Sequence, residues 1–359
     1  MRAAIFTGET KLSVEDVTSI EPGPNDVVVR IGASGVCHSD LSFMNGTIAM
    51  PPPCILGHEG TGIIEWAGPE VTRVKVGDHV VASFVPSCGH CFWCLNGQSN
   101  LCSLGEETML KPKATRGDGS VAISLTGLGT FADQMTAHEA SVVKVDTDLP
   151  DEQLALIGCG VTTGVGAALN TAQVTPGSSV TVIGCGGVGQ AVIQGARIAG
   201  AARIIAVDPV ELKRKAAEQL GATDLVDPSA GDAIAQVQAL TGGRGVDYAF
   251  EVIGLPDTIV QAYEMARRGG TAVVVGMPRM DSSVTLGGFS LFYAEKKLLG
   301  CVYGSAQVRR DFPRFVELVE TGRLNLADMV SRRIGLDEVN DAFRAMVAGE
   351  VIRSVITHT

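Results

Sequence analysis

Four cysteines, Cys88, Cys91, Cys94 and Cys102, lie in the run CGHCFWCLNGQSNLC, spaced C-x2-C-x2-C-x7-C. Thiolates this close along a chain suit one metal ion better than a set of disulfides. Four of them satisfy a tetrahedral Zn²⁺ completely, which makes a closed, architectural site. An iron–sulfur cluster competes, because two-residue gaps also suit clusters, although the x7 gap with no following Cys-Pro fits ferredoxin spacing poorly. Gly89, His90, Asn96, Gly97 and Gln98 make the segment a polar, turn-rich loop. Cys37 in GVCHSD, His58 in GHEG and Cys159 in GCG lie to either side and could form a second metal site of a different kind. Spacing alone does not bring residues so distant together.

A second chemistry is written in Gly184-Cys185-Gly186-Gly187-Val188-Gly189, which follows the apolar run VTVI and opens a helical pattern. In that context Gly184 permits a tight turn, Gly186 lets a pyrophosphate approach the backbone, and Gly189 lets helix and strand pack closely. The unpaired N–H groups of the helix N-terminus favour the anion. Asp208 ends the run RIIAV, 19 residues after Gly189. There a carboxylate can accept from both ribose hydroxyls and repel a 2′-phosphate, which favours NAD over NADP. A helix cap before Pro209 is the plainer role for Asp208. Lys213 is either a further ribose contact or a solvated helix charge.

The elements that must position these groups fall into two textures. At 359 residues and 45% hydrophobic content, the chain is long enough for two cores. To about residue 148 it shows short alternating runs such as DVVVRI and GDHVVASF, broken by Gly and Pro, which predicts an all-β or barrel-like domain. From SVTVIG onward, β-branched runs alternate with helical segments, the pattern of a parallel sheet covered on both faces. After about residue 304 the pattern is again mixed, with amphipathic helices in RDFPRFVELVETG and LDEVNDAFRAMVAG. The expected division is 1–160, 161–303 and 304–359.

Lys and Arg number 28 against 39 Asp and Glu, a formal charge of −11, so nucleic acid and anionic membrane surfaces are excluded as expected partners. The apolar stretch near 179–207 carries Gln190, Gln194, Arg197 and Arg203 and is not expected to span a bilayer. Nine cysteines without a recognisable signal segment point to reduced thiols in a cytoplasmic protein.

With GVCHSD, GHEGTGIIEWAG, GDHVV, the four-cysteine loop, GCGVTTG and GCGGVG in this order, the chain resembles the zinc-dependent medium-chain dehydrogenases of the alcohol dehydrogenase type from end to end. The resemblance implies an α/β protein with a GroES-like catalytic domain and a Rossmann cofactor domain. It implies NAD and two zinc ions per subunit, and reversible oxidation of a primary alcohol, aromatic or medium-chain, to an aldehyde. Cys37, His58 and Cys159 would hold the catalytic zinc, with Glu59 and Asp40 behind them, and Cys88, Cys91, Cys94 and Cys102 the structural zinc. Ser39 would bond the reacting alcohol oxygen. His38 and Arg353, the latter in GEVIRSVI, would meet the pyrophosphate, and Thr163 and Val188 the nicotinamide; Gly184, Gly186, Gly187, Gly189, Asp208 and Lys213 complete the cofactor set. Phe84 and Met277 would line the alcohol pocket. Cys54, Cys185 and Cys301 are expected to be buried fillers, and His79, His90 and His138 structural. Many relatives carry a histidine where this chain has Ser42, which puts the exit of a proton relay in doubt. The 103–130 segment resembles that of the branch containing the glutathione- and mycothiol-linked formaldehyde dehydrogenases. It implies a homo-oligomer, a dimer rather than a tetramer. Two alternatives stand beside the alcohol reading: a thiol-adduct formaldehyde dehydrogenase, and a nicotinoprotein whose NAD does not exchange.

Overall fold

The computed structural model describes residues 1–358. The chain forms two compact units: Met1–Cys159 together with the segment from Gln307 onward, and Gly160–Ala306.

The first unit is built on a seven-stranded sheet centred on the long strand Asp26–Val36. In that strand Val27, Val29 and Ile31 are buried at every second position, as a strand with one face on a core requires. Gly60–Ala67 pairs antiparallel along one edge of it, and Arg353–Thr357 and Gln134–His138 also pair with it antiparallel. A small closed barrel adjoins, formed by Arg2–Phe6, Ser13–Ser19, Pro112–Arg116, Val121–Ser124 and Cys54–Ile55. The 103–130 segment therefore supplies a short helix, Leu104–Thr108, and two strands of the barrel. The two C-terminal amphipathic patterns are the helices Val308–Glu320 and Val339–Val347.

The second unit is a six-stranded parallel sheet in the order Asp224–Val226, Arg203–Val207, Ser179–Ile183, Val246–Glu251, Ala266–Val274, Lys297–Gly300. The runs VTVI and IIAV are buried on both faces, which explains why they do not alternate. The sequence order reverses direction beside Ser179–Ile183, and the crevice at that switch point is where such sheets bind dinucleotides.

Among the described residues one helical run, Asp151–Thr171 with 21 residues, is long and apolar enough to cross a membrane, but 83% of its apolar window is buried within the protein. It is a core helix. A π-helical turn at Ile157–Val161 carries Cys159.

Candidate active site

Cys37 closes the strand Asp26–Val36 and caps the helix His38–Met44. Asp40, in the first turn of that helix, is fully buried and receives three donors. The amide of Cys37 reaches one carboxylate oxygen at 3.1 Å, while the amide of Gly57 (3.1 Å) and Nδ1 of His58 (3.0 Å) reach the other. One carboxylate thus ties together two of the segments that carry the predicted ligands.

The ligand atoms of Cys37, His58, Glu59 and Cys159 lie within 4.8 Å of one another, all buried. Nδ1 of His58 is taken by Asp40, while Nε2 is buried without a hydrogen-bond partner. A stranded ring nitrogen facing two sulfurs, with its tautomer set from behind by a carboxylate, is the arrangement a metal ligand requires. The ionisation pattern agrees. The hydrogen bond from Cys159 holds the Cys37 thiol well below its usual range against the effect of burial, and His58 assists. The same bond, with burial, holds Cys159 well above it. A bound dication would hold both sulfurs as thiolates. Burial disfavours charge on His58, yet Asp40 and Cys37 outweigh it and raise the imidazole. Burial lifts Glu59 to about 7 against the pull of Arg353. Two thiolates and one imidazole fit zinc, with a fourth position left for a further ligand.

Ser39 sits with its Oγ 3.7 Å from Cys37 Sγ. Phe84 packs edge-on to His58, ring centroids 5.7 Å apart, so the ring flanks this cluster. His38 is exposed. Ser42 is buried and donates to the carbonyl of His38 at 3.1 Å, so its hydroxyl proton is committed to its own helix. Arg353 is buried and ion-paired with Glu59, and its Nε has no partner. Sequence reasoning missed that pairing, although a glutamate inside the buried run GHEG needs a cation somewhere.

Cys88, Cys91, Cys94 and Cys102 also converge, their sulfurs within 4.8 Å of one another. Amides point at these sulfurs: Cys91 N to Cys88 Sγ at 3.3 Å, Cys94 N to Cys91 Sγ at 3.5 Å and Cys88 N to Cys102 Sγ at 3.5 Å. Burial works against the Cys91 thiolate, but amides of Cys94 and Ser103 bring it down to about 5, whereas burial pushes Cys102 up to about 12. Arg73 anchors the loop by donating to the carbonyls of Ser87 (2.9 Å) and Cys88 (2.6 Å). Cys54, Cys185 and Cys301 are buried, and burial raises all three thiols.

In the second unit, Gly184 has φ +92°, which the turn after Ser179–Ile183 requires. A side chain on Gly189 would strike the carbonyl oxygen of Gly184, so glycine is obligatory for the close approach of helix Gly187–Ile198. Gly186, Gly187, Val188 and Thr163 are half-buried, as is Lys213 in the helix Glu211–Leu220. Asp208 is buried, accepting from Cys185 N at 2.8 Å and Val210 N at 2.8 Å. Its carboxylate therefore braces the glycine turn as well as capping the chain ahead of the next helix. Met277 is exposed. Gln190, named in the sequence only as a polar residue of the apolar stretch, is fully buried in the helix Gly187–Ile198, as is Gln194 one turn on.

The description "Alcohol dehydrogenase GroES-like domain" matches residues 23–147, and "Zinc-binding dehydrogenase" matches residues 187–321. The chain is 38% identical to an NDMA-dependent alcohol dehydrogenase of Amycolatopsis methanolica, over 99% of this chain and 98% of that protein. It is also 38% identical to an S-(hydroxymethyl)glutathione dehydrogenase of Synechocystis, over 99% of both. The solved benzyl alcohol dehydrogenase of Acinetobacter calcoaceticus superposes with a TM-score of 0.93 at 32% identity, over 100% of this chain and 99% of that one. The chain belongs to the zinc-dependent medium-chain alcohol dehydrogenase family.

Proposed function

We propose that the protein oxidises a primary alcohol, aromatic or medium-chain, reversibly to its aldehyde with NAD⁺ as hydride acceptor, and that each subunit carries one catalytic and one structural zinc ion. The observation that carries this is the partnerless Nε2 of His58 beside the sulfurs of Cys37 and Cys159. Zinc held there by Cys37, His58 and Cys159 would supply Lewis-acid chemistry, which lowers the pKa of an alcohol from about 16, the value of bulk water. Asp40 fixes the His58 tautomer, and the Glu59–Arg353 pair offsets charge behind the ligands. Ser39, half-buried, would accept the proton of the alcohol while releasing its own hydroxyl proton toward solvent, and Phe84 packs against the alcohol's carbon chain. Asp208 and Lys213 receive the adenosine ribose, and the turn Gly184–Gly189 the pyrophosphate. The preference for NAD over NADP, the homodimer and the cytoplasmic location belong to the same proposal.

The test is turnover of an alcohol panel including benzyl alcohol with NAD⁺, followed by NADH absorbance, on protein of measured zinc content. Zinc-loaded protein that turns over no alcohol overturns the reading. The Synechocystis relative favours a second substrate, the formaldehyde–thiol adduct. Faster turnover of formaldehyde plus glutathione or mycothiol than of any free alcohol would establish it. The Amycolatopsis relative favours a nicotinoprotein, whose purified form would carry nicotinamide absorbance that survives dialysis.

A further inference from the structure

Gln190 is fully buried in the helix Gly187–Ile198, beside Ala191, Val192 and Ile193 and one turn before the equally buried Gln194. Its Nε2 donates to the carbonyl of Cys185 at 2.9 Å and to the carbonyl of Lys213 at 2.9 Å. Its Oε1 is buried without a partner. An apolar side chain of similar size would occupy the same space without stranding an acceptor. The two bonds gained and the one acceptor stranded therefore roughly cancel as stability.

What the two bonds do is geometric. Cys185 is the second residue of the turn Gly184–Gly189, and Lys213 lies in the helix Glu211–Leu220 just beyond Asp208. On the opposite side Asp208 accepts from the amide of Cys185 and from that of Val210. Cys185 is thus held through its N–H by Asp208 and through its C=O by Gln190. Arg214 tightens the same corner by donating to the carbonyl of Asp208 at 2.6 Å while ion-paired to Asp227 at 3.0 Å.

We propose that Gln190 is a positioning residue for the dinucleotide, a strut that sets the amides of the glycine turn against the Lys213 helix before the cofactor arrives. The proposal rests on the dinucleotide reading of the Gly160–Ala306 unit. A turn already in place spends less of its binding free energy on ordering. Loss of the strut therefore shows in affinity for pyrophosphate-bearing molecules and leaves the chemical step alone.

The variant is Gln190→Met, which matches the length of glutamine and removes the donor. NADH, ADP-ribose and adenosine are titrated against the zinc-loaded wild type and variant. The expected result is a rise of roughly five- to tenfold in Kd for NADH and ADP-ribose, the size that ordering about one released backbone residue on binding gives. The Kd for adenosine, kcat at saturating NAD⁺ and the melting temperature should match wild type. An unchanged ADP-ribose Kd in the variant overturns the proposal. A second measurement needs no variant. In cofactor-free wild type, amide exchange across residues 184–190 should already be slow, and ADP-ribose should slow it by less than about threefold; slowing of about tenfold or more means the turn orders only on binding and also overturns it. Wild type that binds neither NADH nor ADP-ribose sinks the dinucleotide reading itself, whereas wild-type binding with an unaffected variant sinks the strut alone.

Discussion

Asp40→Asn tests the metal site through its support rather than its ligands. The carboxylate accepts from Cys37 N on one oxygen and from Gly57 N and His58 Nδ1 on the other, at 3.1, 3.1 and 3.0 Å. Asparagine offers one acceptor oxygen. If that oxygen keeps Gly57 and His58, the new NH₂ faces the amide of Cys37 and strands it. If the amide flips, Gly57 is stranded, and the NH₂ then donates to Nδ1 of His58. That drives the ring proton to Nε2, the atom facing Cys37 and Cys159. Either arrangement strands at least one buried donor, which costs about 1–3 kcal/mol of stability. Loss of a histidine-orienting partner lowers metal affinity by about 10–100-fold, which converts to about 1.4–2.8 kcal/mol. Zinc competition against a chromophoric chelator reads this site separately from the Cys88–Cys102 loop, whose metal should be unaffected. Wild-type affinity at both sites in Asp40→Asn would refute the reasoning.

Cys102→Ser should release the loop metal and destabilise the first unit by more than about 3 kcal/mol in denaturant unfolding, because a structural site's binding energy is folding energy; unchanged unfolding would contradict it. Asp208→Gly, which removes the ribose bonds together with the brace on the amides of Cys185 and Val210, should weaken NADH by at least roughly tenfold and shift the NADH/NADPH affinity ratio toward NADPH; an unaltered ratio counts against the ribose role. Asp247 accepts from Ser179 N and Oγ and from Arg267 Nε at 2.8, 2.7 and 2.6 Å. Burial alone would raise this carboxyl, but these donors bring it below its ordinary value. A depressed carboxylate stabilises the fold above its unfolded pKa and loses that contribution as pH falls through its folded pKa. The stability gap between wild type and Asp247→Asn should therefore hold steady above the carboxyl's unfolded pKa of about 3.9 and shrink as pH falls below it, and a constant gap would rule out the charge as its source.

The four-cysteine loop was legible because its ligands are neighbours along the chain and the spacing carries the geometry. The glycine turn was legible for the same reason, since strand, turn and helix are consecutive. Cys37, His58 and Cys159 come from a strand end, a loop and a π-helical turn, and only the family resemblance joined them before the structure did. The parallel sheet could be read from unbroken apolar runs. The barrel strands Pro112–Arg116 and Val121–Ser124 could not, because KATR and VAIS carry little alternation and take their place from partners far off in sequence. The Glu59–Arg353 pair spans 294 residues and follows from burial, which sequence does not display. The sequence offers Asp208 both as a ribose ligand and as a helix cap, but its brace on Cys185 depends on where a turn folds back. Gln190 left a signal, a polar side chain at an apolar helix position, whose meaning appeared only with its two carbonyl partners.

The most direct test of the central claim is metal content and turnover in Cys159→Ala, measured together. Loss of one zinc per subunit and of alcohol oxidation, with the loop metal and NADH binding retained, is the result expected of a catalytic ion held by Cys37, His58 and Cys159. Full metal content with near wild-type turnover would contradict it.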